Sequence, residues 1–354
     1  MTKQLTLWIS ISFILSIGLV AGLSALSKDI REQPGSFLRQ YPPHPVIASD
    51  IIKLPDEHYY FAGATNEKIY LANTLDPFEV LTIHRDISDT TFVRLDLGIT
   101  DRLKYFRITV RIDSPYFYFM DGAIPYMFRG KISTWKGEVF MKDSTYFIDA
   151  LPISPGSFAI SALSTKTNEK ALGKLVVNRN VKLNHDLLER QFDGLFDVDG
   201  SLSYEKELNK LVYVYFYRNQ YLVIDTVLNL EYRGNTIDTF RTAQIKTADA
   251  YSGGSMKLSV PPVITNKSHA VYRQCLFVHS LLPAKNEDMD QFNKASVIDV
   301  YDLASQTYQF SFYIYDEDGE KMRNLMVRNN ELYALYQSSI RRFDLVRKYF
   351  SKSF

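Results

Sequence analysis

From about residue 51 onward this chain is a succession of short aromatic β segments, each closed by a tight turn. That alternation restricts its fold more than any other feature. The clearest segments are His58–Ala62, Lys68–Ala72, Phe78–Ile83, Phe106–Ile112 and Tyr116–Met120. Tyr146–Ile148, Leu211–Tyr217, Tyr221–Ile224, Val297–Leu303, Tyr308–Tyr315 and Glu331–Tyr336 follow. Arg107 to Ile112 alternates polar and apolar residues, the mark of a strand with one buried face. Asp121-Gly122, Asp199-Gly200, Arg218-Asn219 and Asp318-Gly319 supply turn chemistry between segments. Helical periodicity is scarce, and its best stretch is Leu183–Phe192. The 24 Tyr and 23 Phe suit pleated, half-buried surfaces.

A degenerate unit recurs, in which a polar turn runs into an apolar-aromatic strand. Asn66-Glu-Lys-Ile-Tyr-Leu71, Asp113-Ser-Pro-Tyr-Phe117, Asp143-Ser-Thr-Tyr-Phe147, Asn209-Lys-Leu-Val-Tyr213 and Asn330-Glu-Leu-Tyr333 have this form. Val300-Tyr-Asp-Leu303 and Arg342-Phe-Asp-Leu345 resemble each other as outgoing strands of two such units. A β-propeller blade takes about 40–50 residues, so residues 51–354 accommodate six or seven. A sandwich would need only about 100 residues. The expected fold is therefore all-β, a propeller of six or seven blades.

Three regions are expected: 1–27 as a transmembrane anchor or signal peptide, 28–50 as a Pro-rich linker, and 51–354 as the propeller. Residues 5–26 carry no charged side chain, and at about 1.5 Å per residue a helix of that length covers a bilayer core of about 30 Å. Two readings stand open. The run is an uncleaved anchor in the inner membrane with the rest of the chain in the periplasm, or a signal peptide cut near Ala25-Leu26-Ser27. No cysteine follows it, which excludes a lipoprotein anchor. Pro34-Gly35 and Tyr41-Pro-Pro-His-Pro45 interrupt regular structure and read as a semi-rigid spacer.

Forty-one basic against forty acidic residues leave a net charge of +1, without the basic excess of a nucleic-acid binder. The single cysteine, Cys275, excludes an intramolecular disulfide and a Cys-rich zinc site. It lies in an apolar run and reads as a small buried hydrophobe.

Few residues stand out as site candidates. Asp197 and Asp199, before Gly200, are candidate calcium ligands. An EF-hand register set by Gly200 would put Leu195 at position one and Lys206 at position twelve, so a plain hairpin turn competes with that reading. Asp316-Glu-Asp318-Gly319 has the same alternatives. No cofactor is expected, a calcium ion at these acids being the one alternative. The six histidines show no i, i+3 to i+5 pair, and no nucleophile elbow, Walker loop or dinucleotide fingerprint is present. Tyr213, Tyr215 and Tyr217 share one sheet face with Arg218 at the turn. They form either an inter-blade packing layer or an aromatic ligand platform.

Two stretches carry a family resemblance. Gly35-Ser-Phe-Leu-Arg-Gln-Tyr-Pro-Pro-His-Pro45 resembles the post-anchor segment of an uncharacterised family of envelope proteins from Bacteroidetes-type bacteria. Asp193-Gly-Leu-Phe-Asp-Val-Asp-Gly200, through Leu211–Asn219 to Thr236-Ile-Asp238, is similar to that family's central block. The resemblance implies an envelope location and a propeller-like fold, and it transfers no catalytic residue. The leading functional expectation is a non-catalytic module that binds a protein or small ligand, tethered through residues 5–26. The alternatives are a propeller enzyme, a metal-assisted hydrolase or lyase with Asp197, Asp225 or Asp238 at its axis, and a structural accessory of a membrane complex.

Overall fold

The computed structural model describes residues 8, 11–20, 22, 35–98, 105–142, 145–250 and 255–351, with side chains omitted at 247–250 and 255–257. Residues 11–20 are helical. Among the described residues no helix is long and apolar enough to cross a membrane. Most of the expected anchor, and the whole cleavage motif, lie outside the described residues.

The chain forms a six-bladed β-propeller of four-stranded antiparallel sheets. Its first strand, β1 (Val46–Lys53), opens no blade of its own. Blade one is β2 (Tyr59–Ala64), β3 (Lys68–Asn73), β4 (Glu79–His84) and β5 (Thr90–Arg94). Blade two is β6 (Ile108–Asp113), β7 (Tyr116–Asp121), β8 (Tyr126–Lys131) and β9 (Gly137–Lys142). Blade three is β10 (Asp149–Ser154), β11 (Ser157–Leu163), β12 (Lys170–Val176) and β13 (Lys182–Asn184). Blade four is β14 (Gly200–Glu205), β15 (Lys210–Tyr215), β16 (Gln220–Asp225) and β17 (Leu230–Asn235). A separate hairpin, β18 (Thr247–Ala250) with β19 (Ser255–Leu258), follows it. Blade five is β20 (Asn266–Tyr272), β21 (Cys275–Ser280), β22 (Ala295–Asp302) and β23 (Thr307–Tyr315). Blade six is β24 (Asn324–Arg328), β25 (Glu331–Leu335) and β26 (Ser339–Leu345), completed on its outside by β1.

That last pairing closes the ring, because the N-terminal strand supplies the outer edge of the C-terminal blade. The inner strands β2, β6, β10, β14, β20 and β24 meet one another in a closed circle around the axis. We call the face where inner strands begin the upper face. It carries the loops between blades and the turns between second and third strands.

The core is distributed over the six seams between blades. Phe117 and Phe119 pack with Tyr70 and Val80 between blades one and two, while Tyr118 and Met120 of the same strand pack with Phe158 and Ile160 toward blade three. The other four seams repeat this arrangement. Each second strand is thus buried on both faces, which accounts for its nearly unbroken apolar sequence. Fully burying one such side chain contributes about 1.5–3 kcal/mol. Gly63 marks a close approach of two inner strands, since a Cβ there would lie 2.3 Å from the Ile112 carbonyl oxygen.

Three expectations need correction. The spacer 28–50 is part of the propeller from residue 35 onward, because β1 starts at Val46 and the preceding residues form a strap along blade five. Gly35 N donates to Pro283 O, Lys285 N to Phe37 O and Ser311 N to Gln40 O, each at 2.8 Å. Phe37 is buried against Val263 and Leu282. Leu183–Phe192 is no helix: it ends β13 and then loops, since Leu187 and Leu188 plug the seam between blades three and four. Tyr146–Ile148 is a loop that precedes β10.

Candidate functional site

The propeller axis is where all six blades contribute side chains. An upper cavity of about 690 Å³ lies among Tyr60, Phe106, Arg107, Asp149, Lys170 and Asp199. A lower cavity of about 800 Å³ is formed by first-to-second-strand turns of the blades. Arg111, on β6, borders both cavities. Strand alternation explains its position: Val110 and Ile112 are buried in the seam, so Thr109 and Arg111 turn the other way.

Arg111 Nη2 donates to Asp149 Oδ1 of β10 at 3.0 Å. Burial disfavours both charges, but the pairing outweighs it. The guanidinium is held above its ordinary value and the Asp149 carboxyl below its own. Above this pair, Lys170 Nζ donates to Asp199 Oδ1. Across the axis, His269 of β20 bridges two hydroxyls of β14, with Ser201 Oγ 2.8 Å from Nδ1 and Ser203 Oγ 2.8 Å from Nε2. Burial lowers the His269 pKa to about 4, so the ring is neutral near pH 7. A neutral imidazole donates from one nitrogen and accepts at the other, so the bridge satisfies both.

Of the residues singled out from sequence, Asp199 and Tyr213 border the upper cavity and the others fall elsewhere. Asp197 is fully buried, and its carboxylate accepts backbone N–H groups of Gln191, Phe192 and Gly194, the last two at 2.8 and 2.7 Å. It fastens the loop that enters blade four. Asp199 reaches the upper cavity, with Oδ1 engaged by Lys170 and by Gly200 N at 3.0 Å. Asp318 pairs with Lys53 at the surface. Tyr213 and Tyr215 are fully buried in the seam between blades three and four, 5.2 Å apart edge to face. Tyr213 OH donates to Val198 O at 2.7 Å. Tyr217 lies beyond the end of β15 and is half-buried. Arg218 sits at the turn, 2% exposed, with its guanidinium 3.7 Å from the Tyr215 ring centroid.

Nor do the acids proposed for an enzymatic axis converge. Asp225 accepts from Val227 N and Asn229 N in the turn after β16. Asp238 accepts from Thr236 Oγ1 and Phe240 N in the loop after blade four. Among the described residues no three His, Cys, Asp or Glu side chains gather closely enough to hold a metal ion. Arg111, Asp149 and His269 went unmarked in sequence because their partners lie on other blades. The alternation at Arg107–Ile112 was the one available signal, since it gave β6 a polar face.

Solved structures of low sequence identity are similar to this chain in fold. A DUF4221 family member from Bacteroides vulgatus superposes with a TM-score of 0.52 at 13% identity, over 88% of this chain and 98% of that one. A streptogramin B lyase aligns with a TM-score of 0.45 at 10% identity, over 85% and 97%. The extracellular domain of a one-component system from Bacteroides thetaiotaomicron gives 0.45 at 8% identity, over 82% of this chain and 32% of that one. No family model matches the chain, and no curated protein does.

Proposed function

We propose that the chain is an exported, membrane-tethered propeller of the bacterial cell envelope that acts as a non-catalytic binding module through its upper face. One observation carries this reading. Several large apolar side chains are exposed on that face, among them Leu75, Phe106, Tyr146, Leu163 and Phe192. Phe106 is 81% exposed and Tyr146 70%. They come from loops and turns of blades one to three and from the loop entering blade four, all of which open on the upper face, and Phe106 also lines the upper axial cavity. Soluble surfaces rarely gather apolar groups this way unless something covers them. The uncharged run at residues 5–26 supports export, and the resemblance of the strap sequence supports an envelope location.

The test is crosslinking in intact host cells, purification of the tagged protein and mass spectrometry, in parallel for wild type and a Phe106→Ser/Tyr146→Ser variant. One partner at near-stoichiometric yield, reduced at least about tenfold in the variant, is the expected outcome. Recovery of the protein alone, or equal recovery from both, would overturn the reading.

A further inference from the structure

A smaller cavity of about 400 Å³ lies off the axis, on the upper side of blade four. Its charges do not balance. Arg190 is paired with Glu169 at 2.7 Å, and Glu189 with Arg233 at 3.0 Å, so those two lining residues are neutralised. Arg241 and Arg218 also line it, and neither has a carboxylate partner among the described residues. Arg241 is exposed, whereas Arg218 is 98% buried.

Arg218 shows what is missing. One face of its guanidinium rests on Tyr215, and Nη1 donates to the Glu189 carbonyl oxygen at 2.9 Å. Nε and Nη2 are buried with no acceptor. A buried donor without an acceptor is costly, and more so when it carries charge. The Gln220 amide oxygen is buried beside it, also unpaired. An amide turned by 180° would offer two N–H donors in its place.

We propose that this cavity binds a small oxyanion, with Arg218 as the inner ligand and Arg241 as the outer one. The planar guanidinium fork matches the oxygen spacing of phosphate, sulfate or carboxylate, and an anion in the cavity would meet the unmatched charge. Nε and Nη2, sealed from the cavity beside Tyr215, would reach it once the guanidinium turns toward the anion. The polar lining suits an ion, or the charged end of a small molecule, better than an apolar body. The site does not depend on a protein docking on the upper face.

The experiment is isothermal titration of the full chain with inorganic phosphate, sulfate and acetate, each at constant ionic strength. Saturable binding of at least one anion with a Kd below about 1 mM is expected, and the preferred anion separates a tetrahedral from a planar ligand. Arg241→Gln, an exposed change that leaves the fold intact, should weaken binding about tenfold or more. Arg218→Gln should abolish it, with circular dichroism reporting whether that variant folds. Arg190→Gln, whose charge is already paired, should change affinity less than Arg241→Gln. No saturable binding up to about 10 mM of any of the three anions would overturn the proposal. Binding unchanged in Arg241→Gln would do the same.

Discussion

Asp238 is 4% exposed, in the loop that joins blades four and five. Thr236 Oγ1 donates to its Oδ2 at 2.5 Å and Phe240 N to its Oδ1 at 2.9 Å. Burial raises the carboxyl from 3.8 to about 6, with the charge of Asp299 adding to the rise. A folded-state pKa above the unfolded one means that this group favours the folded state at low pH. That contribution is complete below about pH 4 and is lost as pH rises through 6. Two pKa units correspond to about 3 kcal/mol. Urea unfolding of wild type and Asp238→Asn between pH 4 and 7 should therefore show the variant gaining about that much relative to wild type as pH rises. A difference that stays flat with pH would contradict this. Neighbouring Arg39 illustrates what sequence could not give at this scale. All five of its N–H donors are engaged, by both oxygens of Asp299, by Glu287, by Ser280 and by the Leu282 carbonyl. Those partners lie more than 240 positions away, and nothing local to Arg39 announces them. Tyr213 and Tyr215 were more legible, because strand alternation alone puts them on one face.

Among the elements, legibility followed burial. The second strands β3, β7, β15, β21 and β25 are buried along almost their whole length, and their apolar runs stood out in the sequence. The equally buried β11 did not, because its Ser and Ala residues interrupt the apolar run. Outer strands such as β5 and β17 are mostly exposed and polar, so no pattern marked them. The recurring polar turn is the connection from first to second strand in blades one, two, four and six. The stretch Asp143–Phe147 broke the series: its described residues, 145–147, lead into β10 instead. Val300–Leu303 and Arg342–Leu345 occupy equivalent third strands of blades five and six. Blade spacing was irregular because the connection after blade four carries the extra hairpin β18–β19. The strap and β1 were hidden by their prolines, which read as a spacer although the carbonyls between them hold blade five. Their roles separate by truncation. A chain without residues 1–45 keeps β1 and should stay folded, but less stable by about 3–5 kcal/mol, the cost of leaving buried Asp299 without Arg39. A chain without residues 1–53 also loses the β1–β26 pairing, by which the N-terminal strand fastens blade six. It should lose its single cooperative unfolding transition in denaturant monitored by circular dichroism. Equal midpoints for the two truncations would show that closure through β1 adds nothing.

At the scale of the whole molecule, the strap determines how a tethered propeller would stand. Gly35 is pinned to Pro283, in the turn between the second and third strands of blade five, and that turn lies on the upper face. Only nine positions separate Gly35 from Leu26, the end of the uncharged run. Nine residues span at most about 30 Å, whatever path they take. If residues 5–26 stay in the bilayer, blade five's upper rim is held within that distance of it, and the exposed apolar side chains share this upper face. A partner reached by Phe106 would then be a protein embedded in the same membrane or lying on it. The lower face, where Glu67 sits in the turn after β2, would point away. A photocrosslinking amino acid at position 106 should therefore capture a membrane-fraction protein, while the same probe at position 67 should not. Inserting about 20 Gly/Ser residues after position 27 relaxes the constraint, since a flexible chain of that length adds about 25 Å of root-mean-square reach. The yield at position 106 should then fall severalfold. Equal labelling from both faces, or a yield indifferent to the insertion, would mean that the tether does not orient the propeller.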